Sequence, residues 1–171
     1  MSIRPALEAL LAVLASADRP LATQLAAGLG RTEIERKLAT LPGAVAAEVH
    51  DYFEWRNGLR PDRDREEELF PEAVMLSLDE ALADYRNLVA MAQQVASQAG
   101  VPADSIWNKK WVPLFRHPAG GAYHVTIAGR VPVATAPIYA VTLQDPDAAS
   151  LAFDSLTSLV RTATTWIRPA K

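Results

Sequence analysis

A serine, a glutamate and a glycine bracket the segment that most restricts the fold. Ser77-x-x-Glu80 is a capping box: the serine side chain accepts from the third helical amide, and the glutamate reaches back to the serine N–H. Leu78, Leu82, Tyr85, Val89, Ala92 and Ala96 then recur at helical spacing, and Ala81, Leu88 and Val95 widen the stripe. Gly100 ends the pattern and Pro102 follows it, so the spacing predicts one long helix from Leu78 to Ala99. A helix with so wide an apolar stripe needs a broad partner surface.

The periodicity changes to that of strands directly after this helix. Lys110 to Arg116 is a short extended run, and Pro113 within it predicts a strand end or an edge. His117-Pro118-Ala119-Gly120-Gly121 reads as a turn. Tyr123, Val125 and Ile127 alternate with His124, Thr126 and Ala128, the pattern of a half-buried strand. Ile138 to Leu143 is the strongest strand. Asp145-Pro146 predicts the cap of a final helix whose inner stripe is Ala149, Ala152, Phe153, Leu156, Val160, Ala163 and Ile167.

Upstream, helical readings dominate. Leu7, Leu10, Leu11 and Leu14 share one face of a helix from Arg4 to Ala15, and Leu21 to Gly30 predicts another turn or two. Thr32-x-x-Glu35 has capping-box spacing, with Ile34 and Leu38 on one face behind it. Leu41-Pro42 predicts the first turn of a helix running to about Arg56, with Val45, Val49, Tyr52 and Phe53 buried and Asn57-Gly58 as its stop. Leu59 to Pro71 is polar and predicts a solvated loop; Phe70 to Leu76 has room for one short strand. Helices, then adjacent strands joined by short turns, then a helix, specify α+β: an antiparallel sheet packed with N-terminal helices, one long central helix and a C-terminal helix.

At 171 residues, 50% of them hydrophobic, the chain suits one domain over 1–171. The absence of cysteine excludes disulfides, thiolate zinc sites and a cysteine nucleophile, and fits a reducing, cytoplasmic setting. No apolar stretch approaches the ~20 residues of a membrane span. Ala15-Ser16-Ala17 imitates an export cleavage site, but Pro5 and Glu8 interrupt the region before it, so a core helix is the expectation there. The net charge of −3 argues against direct nucleic-acid binding, which calls for a basic face. All of that excess sits in Asp62-Arg63-Asp64-Arg65-Glu66-Glu67-Glu68; the remainder of the chain is neutral.

The order of the short motifs resembles the SUKH superfamily, the group built around the yeast cell-wall-assembly regulator (the Smi/Knr family). The matching pieces are Ile34-Glu35-Arg36-Lys37-Leu38, then Leu41-Pro42, then Tyr52-Phe53-Glu54-Trp55-Arg56-Asn57-Gly58. Ser77-Leu78-Asp79-Glu80-Ala81, Trp111-Val112-Pro113-Leu114, Gly120-Gly121, the strand from Ile138 to Leu143 and the helix around Phe153 follow in sequence. The resemblance covers 32–167 as a family-like core and leaves 1–31 as a helical extension. One departure is Arg116-His117-Pro118-Ala119, where family members often carry acids around the Gly-Gly turn. The resemblance implies an α+β fold and protein binding without catalysis, and it brings no cofactor or catalytic residue. Bacterial members are typically immunity proteins that bind and neutralise a cognate toxin domain, often a nuclease; fungal members are regulatory scaffolds with endogenous partners.

Catalytic and metal patterns are weak beside this. His50 and Glu54 are four apart on a helix but lack a third ligand nearby. His117 and His124 flank the Gly-Gly turn, and two imidazoles alone do not make a metal site. Asp145, His124 and Ser150 or Ser155 have the residue types of a triad without a Gly-x-Ser-x-Gly elbow. Trp107 and Trp111 are expected in the core. Trp55, at the margin of a buried stripe beside charged residues, has the composition of an interface anchor. With Asp62, Asp64, Glu66, Glu67 and Glu68 it forms the candidate surface for a basic protein partner, the carboxylates raising association rate and specificity; the blander expectation for the acidic run is a solvated loop.

Overall fold

The structure is a computed structural model that describes residues 2–17, 19–61, 68–145 and 148–167. In chain order these form α1 (Arg4–Ser16), α2 (Leu21–Gln24), β1 (Leu25–Ala27), α3 (Arg31–Leu38), α4 (Ala47–Trp55), β2 (Arg56–Leu59), β3 (Glu68–Phe70), β4 (Ala73–Met75), α5 (Leu78–Ala99), β5 (Trp111–Arg116), β6 (Ala122–Ile127), β7 (Ile138–Thr142), β8 (Ser150–Phe153) and α6 (Leu156–Trp166). Strands β3 to β8 make one antiparallel sheet in sequential order, and β1 pairs with β2 in a small second sheet. This is the α+β architecture that the sequence predicts. No helix among the described residues is long and apolar enough to cross a membrane.

Local signals account for the best-defined elements. The Ser77 side chain accepts from the Glu80 amide and the Glu80 carboxylate from the Ser77 amide, so α5 begins at its capping box and ends at Gly100 in the left-handed region. Leu7, Leu10 and Leu14 of α1 are fully buried, which makes that segment a core helix. Val95, expected in the stripe of α5, is exposed.

Tertiary pairing overrides the local reading at several places. The segment after Leu38 is not a helix from Pro42. Ala44 and Gly129 exchange backbone hydrogen bonds of 2.9 and 2.8 Å, which holds this stretch extended, and α4 starts only at Ala47. Its first amides, Ala47 and Glu48, donate to the carbonyls of Val133 and Ala134 in the β6–β7 connection. Thr32 does not cap α3; the helix begins at Arg31, and Glu35 pairs with Arg31 instead. Leu25 to Ala27 is a strand because Arg56 to Leu59 pairs with it.

Asn57-Gly58 lies within β2 and serves the helix ahead rather than the one behind. The Asn57 side-chain oxygen accepts from the Leu78 amide at 2.8 Å, adding to the cap of α5. Gly58 has φ +68 and leaves no room for a Cβ, which would lie 2.3 Å from the Ser77 nitrogen. Phe70 to Leu76 holds β4 and the last residue of β3; Glu68 and Leu69 of β3 lie in the stretch expected as a solvated loop, where Leu59, Leu69 and Phe70 are buried. Pro113 lies inside β5, in the middle of the sheet; β4 meets β5 only between Leu114 and Arg116, so the missing N–H falls beyond that contact and beside a bulge. Residues 150–153 pair with β7, so the last helix starts at Leu156 with a Ser155–Ser158 cap, not at Asp145-Pro146. Ala152 and Phe153 are therefore strand residues; of the second half of the expected stripe, Leu156, Val160 and Ala163 are buried as a helix face and Ile167 is buried just past the helix end.

The sheet has helices on both faces. On one, Leu88 and Ala92 of α5 pack with Trp107 against Val125 and Val141. Trp107 is 1% exposed and its ring meets Trp111 and Tyr123 edge-on. On the other, α1, α4 and α6 pack over Val112, Leu114, Phe115 and Ile138.

Glu48 joins the pieces on this second face. It is 3% exposed, and its carboxylate accepts from the Ala136, Leu156 and Thr157 amides and the Thr157 hydroxyl at 2.9–3.1 Å. The two amides at the start of α6 lack intrahelical partners, and a carboxylate there is favoured by the helix dipole.

Candidate functional site

The helical layer on the second face stops short of the sheet's far end. There the six-stranded sheet curls until its two edges meet: the Phe70 ring on β3 lies 6.4 Å from Phe153 on β8 and 5.7 Å from Trp166 near the end of α6. Ring normals are inclined by 50–72°, the geometry of mutually packed rings. Between these rings and the sheet is a half-open hollow of about 490 Å³.

Small residues create this space. Along β6 and β7, Ala122 stands opposite Thr142 and His124 opposite Ala140, and Ala152 joins them from β8. Three alanines leave volume where larger side chains would fill the curl. The volume lies in the range of ligand pockets, and the lining is mostly apolar.

Two histidines border the hollow, brought together by the Gly120-Gly121 turn. His124 meets the Phe70 and Phe115 rings edge-on, with centroids at 5.2 and 6.4 Å. Burial lowers its pKa, favouring the neutral imidazole. His117 accepts from the Ala119 amide through Nδ1 at 3.0 Å, and its Nε2 lies 3.9 Å from a Glu72 carboxylate oxygen. Among the described residues no three His, Asp or Glu side chains are grouped to hold a metal ion.

Among the described residues Glu72 is the one formally charged carboxylate lining the hollow, at its rim and 77% exposed. Its backbone is unusual. Pro71-Glu72 forms the tight β3–β4 turn, and Glu72 has φ +66, the only positive φ outside glycine among the described residues. Glycine or asparagine ordinarily takes this place, and another residue costs roughly 1–2 kcal/mol there. The Glu68 carboxylate accepts from the Glu72 amide at 2.8 Å and steadies the turn. Hence the β3–β4 hairpin carries both an aromatic wall, Phe70, and the rim carboxylate, Glu72.

The residues singled out from sequence are placed unevenly. Trp55 is 4% exposed and packs beside Tyr52 in the core, so it offers no surface to a partner; its helical phase is marginal, but the Arg56 guanidinium lies 5.4 Å over its ring. Asp62, Asp64, Glu66 and Glu67 lie outside the described residues, and Glu68 is half-buried in β3. His50 and Glu54 make no metal pair. The two Glu54 carboxylate oxygens are taken by Arg31 and Arg4, and burial, then the Arg31 charge, lowers the His50 pKa. His50 lines a second hollow, also about 490 Å³, whose Arg31 and Glu35 are paired with each other.

Sequence reasoning missed Glu48 and Glu72. Glu48 was detectable, since it is three residues after Val45 and four before Tyr52, on the buried stripe itself. No protein-family model matches the chain, and no curated protein is significantly similar to it.

Proposed function

We propose that the chain is a non-catalytic protein-binding domain of the SUKH type, acting in the cytoplasm as an immunity protein that binds and neutralises a cognate bacterial toxin. The observation that carries the binding reading is the unfilled end of the sheet: a hollow walled by Phe70, Phe153 and Trp166, open to solvent, with a carboxylate on its rim. Of these rings Trp166 is half exposed, and an exposed tryptophan beside a concavity is a usual anchor point of protein interfaces. The toxin reading rests on the ordered motifs from Ile34 to Phe153 and on the acidic run, which suits a basic partner such as a nuclease.

Co-expression with the product of the adjacent reading frame is the test. That product arrests growth alone, and this chain restores it. Arrest that persists with the chain fully expressed overturns the reading; an endogenous, non-toxic partner in a pulldown replaces it with a regulatory scaffold. Reversing Glu66 and Glu67 to lysine slows association at low salt. Unchanged association kinetics remove the acidic run from the interface.

A further inference from the structure

Resting on the protein-binding reading, we propose that the hollow between β3, β8 and α6 receives an arginine side chain of the partner, stacked on Trp166 and paired with Glu72. Among the described residues the lining contains no lysine or arginine, and its one carboxylate is that of Glu72. An occupant therefore meets the half-exposed Trp166 ring and a negative charge at the mouth. A guanidinium suits both: it is planar, weakly hydrated, stacks on aromatic rings and binds carboxylates through a two-pronged fork. Trp166, the strongest cation–π partner of the rings present, is 49% exposed, whereas Trp55 and Trp107 are buried. The Glu72 backbone supports the same occupant. A turn that glycine would fill without strain instead carries a glutamate, held by Glu68, with its carboxylate at the mouth.

Amide and indole NMR shifts of the full chain, titrated with acetyl-Gly-Arg-Gly-amide, test this directly. The Trp166 indole and the Ala122 and Ala140 amides shift and saturate. Binding weakens about tenfold in Glu72→Gln, the loss of one charge-assisted pair. It disappears in Ala140→Leu, which fills the hollow and keeps the dispersed spectrum of a folded chain. Acetyl-Gly-Lys-Gly-amide binds several-fold more weakly. Equal binding of acetyl-Gly-Leu-Gly-amide overturns the proposal, as does equal competition by tetramethylammonium or a set of shifts confined to 62–68. Protection in the co-expression assay separates the two readings. Full protection by Glu72→Gln and Ala140→Leu places the partner elsewhere and sinks the arginine site alone. Failure of the unaltered chain to protect removes the immunity reading and leaves the peptide result standing.

Discussion

The two faces of the central sheet are built from the same strands and finished differently. Toward α5, Val125 and Val141 meet Leu88, Ala92 and Trp107, and the layer is closed. On the opposite face the strands present Ala122, Ala140 and, from β8, Ala152 to the hollow. A strand alternates its residues between faces, so one sequence sets both surfaces at once. The contrast teaches that the hollow is not a general looseness of the fold: bulky residues occupy one face while small ones occupy the other a residue away.

Truncation gives the largest test of this contrast. Trp107→Ala, on the closed face, lowers unfolding free energy by about 3–5 kcal/mol, since it removes a buried double ring from a packed layer. Trp166→Ala, at the mouth of the hollow, lowers it by about 1 kcal/mol or less, since half of that ring already faces water. Urea denaturation measures both. Equal losses would show that the hollow is closed in solution. Glu48→Ala ranks with Trp107→Ala, at about 3 kcal/mol, because it leaves buried amides of Leu156, Thr157 and Ala136 without their acceptor. A loss below about 1 kcal/mol would mean water replaces the carboxylate and that end of the face is open too.

Insertion reverses the ranking. Ala92→Leu overpacks the α5 side and costs about 1–3 kcal/mol, whereas Ala140→Leu costs under about 1 kcal/mol. The same leucine on two faces thus reads the free volume directly. A larger penalty at Ala140 than at Ala92 would break the comparison.

What was legible in the sequence divides along similar lines. The α5 cap, its stripe and its Gly100 stop are local, and so is the alternation of Tyr123, Val125 and Ile127; each was readable because its cause lies within a few residues. The strands at 25–27 and 150–153 were not, because pairing with Arg56–Leu59 and with β7 decides them. Ser150 to Phe153 also continued the helical spacing of Leu156 and Val160, so periodicity pointed the wrong way. The hollow joins Phe70, His124, Phe153 and Trp166 across nearly 100 residues of chain, and no window on the sequence contains it.

The smallest effect is a pH dependence that separates His124 from the rest of the molecule. Burial lowers its folded-state pKa below the unfolded value near 6.5, so the unfolded chain binds the proton more readily. The contribution is complete above that unfolded pKa and is lost as pH falls from it toward the folded value. His50, also lowered by burial, acts in the same direction, and acids such as Asp84, which is raised, titrate on their own account. The difference between the unaltered chain and His124→Gln isolates the one group. The variant shows a shallower loss of stability between pH 7 and the acid side, read from urea midpoints at matched pH. Slopes that stay parallel would mean that the hollow admits enough water to solvate the imidazolium, and would extend the contrast between the two faces from shape to polarity.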